Sequence, residues 1–137
     1  FVNRYPGVPS IDLHRITKDD KIKIGENEII PIRVFHGKLP ILGYRIGKLA
    51  YITDCTGIEE NEWEKLKDID TLIIDALRCT PHPTHWMVSE AMEAVKRINP
   101  RVTYFTHMSH EIGLHEETNK KLEKGVQLAF EGLEISV

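Results

Sequence analysis

The stretch from Asp70 to Leu77 limits the fold more than any other part of this chain, because its Thr-Leu-Ile-Ile run is apolar on both faces. A strand of that kind belongs inside a sheet with both faces covered, whereas a strand with one wet face alternates polar and apolar residues. The sequence on its two sides differs in kind. Before it, Lys21 to Ile24 and Glu28 to Phe35 flank Gly25-Glu26-Asn27, and Gly43 to Ile46 and Leu49 to Thr53 flank Gly47-Lys48. Both pairs read as antiparallel hairpins. Pro31 argues against a central place for its strand, since proline cannot donate to a ladder. After it, apolar residues at 88, 91, 92, 95 and 98 keep the helix period over Ser89 to Ile98, and Asn99-Pro100 ends that helix. Arg101 to Thr106 reads as a strand, Glu116 to Lys124 as a polar helix closed by Gly125, and Val126 to Val137 as the final β segments.

Smaller elements complete the reading. Ile11 to Ile16 is expected as a short strand before the turn Lys18-Asp19-Asp20, and Glu59 to Lys67 as a short helix with Trp63 and Leu66 on one side. Phe1 to Ser10, with Pro6 and Pro9, should be irregular. Hairpins first and strand–helix alternation second imply an α/β fold: a mixed sheet with helices on one face, the other face needing a partner layer.

At 137 residues the chain is long enough to bury a real core. Eighteen basic against 21 acidic residues give a net charge of −3 without a basic stripe, which argues against a nucleic-acid partner. A phosphate substrate stays open, since bound metal ions invert the local field. The longest apolar stretches are strand-sized, so no membrane span is expected. Cys55 and Cys79 form no CxxC pair and fit a reducing cytoplasm.

Histidines are over-represented, and their positions carry more than their number. His36 and Asp54 follow strand-like runs, and His107 follows Arg-Val-Thr-Tyr-Phe-Thr. Buried strands fix ligands at their ends while the mouth stays open to substrate. Each residue also has a plainer reading. His36 beside Gly37 can be a turn residue, Asp54 an Asx-turn residue rather than a carboxylate bridging two cations, and His107 with His110 a hydrogen-bonded loop pair. The zinc-protease motif HExxH fails, because His115 follows His110-Glu111 one residue too late. In Pro81-His82-Pro83-Thr84-His85, Thr84 can cap the next helix and place His85 in its first turn, as a general acid or donor to a phosphate oxygen, or simply as an exposed histidine. Asp75 can orient a histidine or pair with Arg78.

Taken together, His36-Gly37, Gly43 to Gly47, Tyr51-Ile52-Thr53-Asp54, Leu72 to Leu77, His82-Pro83-Thr84-His85 and Thr106-His107-Met108-Ser109-His110 resemble the metallo-β-lactamase superfamily, in particular its phosphoribosyl 1,2-cyclic phosphate phosphodiesterase branch. The resemblance implies that residues 1–137 form the C-terminal αβ half of an αββα sandwich, with the HxHxDH-bearing N-terminal half absent. It implies two divalent metal ions, zinc or manganese, with His36 and His107 as ligands, Asp54 bridging, and His85 acting near the scissile phosphate. The implied function is a metal-dependent hydrolase that attacks a small, cyclic phosphate ester by a two-metal hydroxide mechanism, with this chain alone inactive. The implied partner is the missing half or a second subunit over the open sheet. Two alternatives stand beside it: a non-catalytic half-domain dimerising through that sheet, and a tRNA 3′-processing ribonuclease.

Overall fold

The structure, a computed structural model, describes residues 11–136, so the expected irregular opening, Phe1 to Ser10, lies outside the described residues. Eight strands form one sheet: β1 (Ile22–Ile24), β2 (Asn27–His36), β3 (Leu39–Ile46), β4 (Leu49–Ile52), β5 (Gly57–Ile58), β6 (Thr71–Asp75), β7 (Val102–Thr106) and β8 (Val126–Leu128). Two helices, α1 (Val88–Ile98) and α2 (His115–Asn119), and two 3-10 turns, Glu60–Leu66 and His110–Ile112, complete it. The strand order is β1-β2-β3-β4-β6-β7-β8, with β5 on the edge of β2. The first four strands pair antiparallel and β4, β6, β7 and β8 pair parallel, the mixed sheet expected from hairpins followed by strand–helix alternation.

Three successive hairpins use the same device. The pairs Ile24↔Asn27, His36↔Leu39 and Ile46↔Leu49 leave two residues to turn the chain: Gly25-Glu26, Gly37-Lys38 and Gly47-Lys48. Each opens on a glycine at φ near 60°, the positive value that a Gly-first two-residue turn demands.

The two faces of the sheet differ. On one, Ile32, Ile52, Ile74 and Phe105 are fully buried, in one core with Ala91, Met92, Ala94, Val95 and Ile98 of α1. Truncating a side chain such as Phe105 to alanine in this layer costs about 3–5 kcal/mol. On the other face, the register lines up Tyr44, Tyr51, Ile73 and Tyr104 in one row across four strands. These are half-buried, except Tyr51, which is 44% exposed.

Pro31 is reconciled with an interior strand by a gap. On the outer side of β2, β1 pairs up to Ile29 and β5 begins at Val34, so Pro31 falls where no strand lies. The 3-10 turn Glu60–Leu66 fills the gap with side chains. Lys65 Nζ donates to the Pro31 carbonyl at 2.9 Å, and the Arg33 amide donates to Glu62 Oε2 at 2.9 Å. Burial alone would raise the pKa of Glu62, but donors from Lys65, the Arg33 amide and Lys18 outweigh it and hold the carboxyl below its ordinary value.

Two expectations are corrected. Ile11 to Ile16 forms no strand: it has no pairing partner, and Leu13 stands 92% exposed. The final β segment is confined to Val126–Leu128, because the Ala129 amide already caps the Phe105 carbonyl at 2.8 Å where β7 ends and the chain leaves the sheet.

Candidate metal centre

Strands β2, β4, β6 and β7 all point their C-terminal ends at one edge of the sheet, the edge where parallel sheets collect ligands. His36 ends β2, Asp54 lies just past β4, Asp75 ends β6 and His107 follows β7. Asp54 and His107 both adopt the left-handed backbone, with φ of 58° and 57°. Non-glycine residues pay on the order of 1–3 kcal/mol for sparsely populated conformations, and such residues cluster at functional sites.

The four expected residues come together. Donor atoms of His36, Asp54 and His85 all lie within 4.8 Å of one another. His107 Nε2 stands 3.4 Å from Asp54 Oδ1. The ring of His85 is the hub, 4.7 Å from His36, 4.8 Å from His107 and 5.0 Å from His82. His82 therefore belongs to the cluster's wall. His110 is exposed in its 3-10 turn, His14 is exposed in the chain before β1, and His115 is held at the end of β8 by the Leu128 carbonyl, 3.2 Å from its Nε2.

The expected helical setting of His85 is corrected. Helix α1 begins only at Val88, with the Met87 amide donating to the Glu90 carboxylate at 2.9 Å. Thr84 packs against His82 instead of capping, its amide 3.3 Å from His82 Nδ1. His85 thus sits on the loop between β6 and α1. That loop is tied down on both sides: the Trp86 amide donates to the Cys55 carbonyl and the Leu77 amide to the Trp86 carbonyl.

Behind His85 is Asp75, with no solvent exposure. Its Oδ1 accepts the Cys55 amide at 3.1 Å, while Oδ2 has no hydrogen-bond partner among the described residues. His85 Nδ1 is equally buried and unpartnered, 3.8 Å from that oxygen. Of the two roles open to Asp75 in the sequence, the geometry selects the histidine, because Arg78 is bound to Glu111 and to the carbonyls of Thr80 and Pro81. Burial pushes the Asp75 carboxyl up to about 7, against the amides that bond it, with the charge of Asp54 adding to the rise. Burial and then the neighbouring His107 and His36 lower the pKa of His85, which favours its neutral form. Cys55 beside Asp54 is a buried small hydrophobe, its thiol pushed up to about 12 by burial.

These residues suit a divalent cation. His36 Nδ1 lies 3.1 Å from the Asp54 carbonyl, which can only accept, so the ring proton sits on Nδ1 and the Nε2 lone pair is free. Ligand atoms of a tetrahedral site about 2.1 Å from zinc stand about 3.4 Å apart, the separation that His107 and Asp54 already show. Asp54 is the shared member, near His36 and His85 and near His107. Two or three imidazoles with a carboxylate accommodate zinc and manganese alike.

Comparison with known proteins gives the family and the fold. The model of a β-lactamase superfamily domain matches residues 1–108. The chain belongs to the metallo-β-lactamase superfamily. Its structure superimposes on a diphosphatase from the PhnP family with a TM-score of 0.88 and 40% identity, covering 92% of this chain and 49% of that one. The metallo-β-lactamase fold protein YhfI of Bacillus subtilis gives a TM-score of 0.67 at 18% identity, and the short form of human tRNase Z 0.64 at 20%. They cover 86% and 84% of this chain and 53% and 45% of their own, and show the fold alone. An octanoyltransferase of Porphyromonas gingivalis is 35% identical over 133 residues, 96% of this chain but 27% of that protein. The chain thus spans about half the length of the solved metallo-β-lactamase proteins and about a quarter of the octanoyltransferase. This metallo-β-lactamase chain carries no HxHxDH segment. Its fold family uses divalent metal ions, and the histidine–aspartate set is where this chain could hold them.

Proposed function

We propose that the protein is a metal-dependent hydrolase of small phosphate esters, the function this edge of the sheet supports best. The observation that carries the reading is Asp54, shared between His107 and the His36–His85 pair, with a carboxyl-backed histidine at the centre of the cluster. Likeness to a diphosphatase at 40% identity supports phosphorus as the reacting centre. A bound divalent pair, zinc or manganese, supplies Lewis acidity at the phosphoryl oxygens and lowers the pKa of water toward about 7.

The chain's own residues do the rest. His36, Asp54 and His107 would hold the ions, with His36 kept in the ligating tautomer by the Asp54 carbonyl. Near neutral pH, Asp75 is protonated in an appreciable fraction of molecules and can donate to His85 Nδ1, which places the imidazole proton on Nε2, the nitrogen left for substrate. From there His85 donates to a phosphoryl oxygen or to the leaving alkoxide. The HxHxDH ligands come from outside this chain, so a covering layer supplies them and shields the Tyr44–Tyr51–Ile73–Tyr104 row; the rest of the polypeptide or a second subunit fills that role. The octanoyltransferase likeness spans 27% of that protein and carries no acyl-transfer role to this chain. No described helix is long and apolar enough to cross a membrane.

The test uses the protein at its natural length, loaded with manganese or zinc, and bis-p-nitrophenyl phosphate as substrate. Turnover should vanish with a chelator and return with metal. His85→Ala should keep its metal by elemental analysis and lose about 100-fold or more in kcat. A His85→Ala protein with unchanged kcat removes the acid from this reading, and a wild type that is inert with metal bound removes the reading itself.

A further inference from the structure

We propose that Lys38 binds a second phosphoryl group of the substrate, beside the one attacked at the metal centre; the inference rests on the hydrolase reading above. Lys38 is the second residue of the β2–β3 turn, directly after His36-Gly37. The Gly37 amide donates to Thr56 Oγ1 at 2.9 Å, tying the turn to the loop that carries Asp54. A Cβ at Gly37 would stand 3.2 Å from Thr84 Cγ2, so the turn also presses on the loop residue just before His85. The Lys38 backbone is therefore fixed against two walls of the cluster. Its side chain is exposed and makes no ion pair among the described residues.

Elimination strengthens the assignment. The loops that carry the cluster, residues 36–39, 53–56, 76–87 and 107–114, contain two basic side chains, Lys38 and Arg78. Arg78 is spent on Glu111, Thr80 and Pro81. Lys38 remains as the uncommitted cation on these loops. A flexible lysine stem ending in a compact ammonium meets phosphate oxygens as a point charge, without needing one fixed approach.

The turn at the other end of β3 is an internal control. Gly47-Lys48 repeats the same two-residue turn, its lysine likewise exposed and without an ion pair among the described residues, but at the end of β3 away from the cluster, where its backbone carbonyl accepts the Asp70 and Thr71 amides. Position alone separates the two lysines: Lys38 stands beside the cluster and Lys48 does not. At the cluster a bound divalent pair would neutralise the attacked phosphoryl group, and a neighbouring dianion would still lack a partner. In an organic diphosphate, water's oxygen forms the new bond to the phosphorus at the cluster and the bridging P–O bond breaks. The bond's electron pair departs with the second phosphoryl group, Lys38 meets that charge, and one proton is released to solvent.

The experiment compares methyl diphosphate with bis-p-nitrophenyl phosphate, which has one phosphoryl group, in the metal-loaded protein at its natural length. Lys38→Ala should lower kcat/KM for methyl diphosphate roughly tenfold or more, mainly through KM, and hold the diester within about twofold. Lys38→Arg should restore part of the loss, and Lys48→Ala should change neither substrate. Equal losses on both substrates, no loss on either, or a wild type that hydrolyses the diester and refuses the diphosphate would each overturn the role of Lys38. A wild type that takes only the diphosphate leaves the KM of Lys38→Ala against Lys48→Ala as the readout, and equal values overturn the proposal. A metal-loaded wild type inert to both substrates strikes the hydrolase reading instead.

Discussion

An aspartate stands at each end of β6, and the two live in opposite worlds. Asp70, just before the strand, is gripped by Arg101 through three hydrogen bonds of 2.9 to 3.2 Å, and that guanidinium holds its carboxyl below the ordinary carboxylate range. Asp75, the strand's last residue, meets no cationic side chain of Lys or Arg among the described residues; burial carries it up to about 7, and one of its oxygens goes unbonded. Four residues of strand separate a settled charge from an unsettled one. The lesson is that this sheet spends its pairing at the N-terminal edge and leaves polar atoms free at the C-terminal edge. An unbonded buried carboxyl weakens the fold unless something else uses it.

That contrast can be broken from either side. The largest effect should come from Asp75→Asn. An amide can still accept the Cys55 amide but cannot pass a proton to His85, so kcat should fall about 10- to 100-fold with metal content held, as steady-state kinetics and elemental analysis will show. An unchanged kcat would mean that the unbonded oxygen has no use.

The same substitution should raise stability in the chelated protein. Because the native pKa of Asp75 exceeds its unfolded value of 3.8, the native state keeps a proton that the unfolded chain has lost between those values. Stability therefore declines as pH climbs from about 4 through 7, and above 7 the full deficit persists. Asp75→Asn should melt higher than wild type at pH 8 and lose that advantage near pH 4, by thermal scans across pH.

Asp70 supplies the smallest effect and the opposite sign. Its depressed pKa adds stability above the ordinary carboxylate range, lost as pH falls through the native value. Asp70→Asn should leave kcat alone and lower the melting temperature slightly at pH 7, with the gap closing in acid. A loss of turnover there would show that the two edges are not independent.

Much of this contrast is legible in the residues, and the rest fails for identifiable reasons. The turns at Gly25-Glu26 and Gly47-Lys48, the helix Val88–Ile98 and the interior strand Thr71–Asp75 follow from local pattern. The turn at Gly37-Lys38 has the same signature but hides behind His36, whose possible chemistry competes for the reading. Ile11 to Ile16 has strand composition and no neighbour to pair with, and only tertiary structure supplies or withholds a partner. The placement of Asp54 and His107 at strand ends is visible in sequence; the convergence of their donors is not, because it depends on strand order. His85 shows the sharpest limit. Thr84 is a good helix cap by type, yet Glu90 takes that role from the far side and shifts the helix start to Val88. With it goes any chance of reading the Asp75–His85 distance from spacing.

The gap in the edge of β2 has a further consequence, for how the molecule behaves in crowded solution. An exposed strand edge is a template on which a foreign chain can add, the first step toward exchange and fibre growth. Here the Arg33 amide and the Pro31 carbonyl, the groups such a chain would seek, are occupied by Glu62 and Lys65. The flanking strands β1 and β5 and the opposite border β8 are each three residues or fewer, too short to recruit a stable neighbour. Both borders of the sheet are thereby closed to growth, and a buried ion pair that looks like a stability device also acts as a guard against polymerisation.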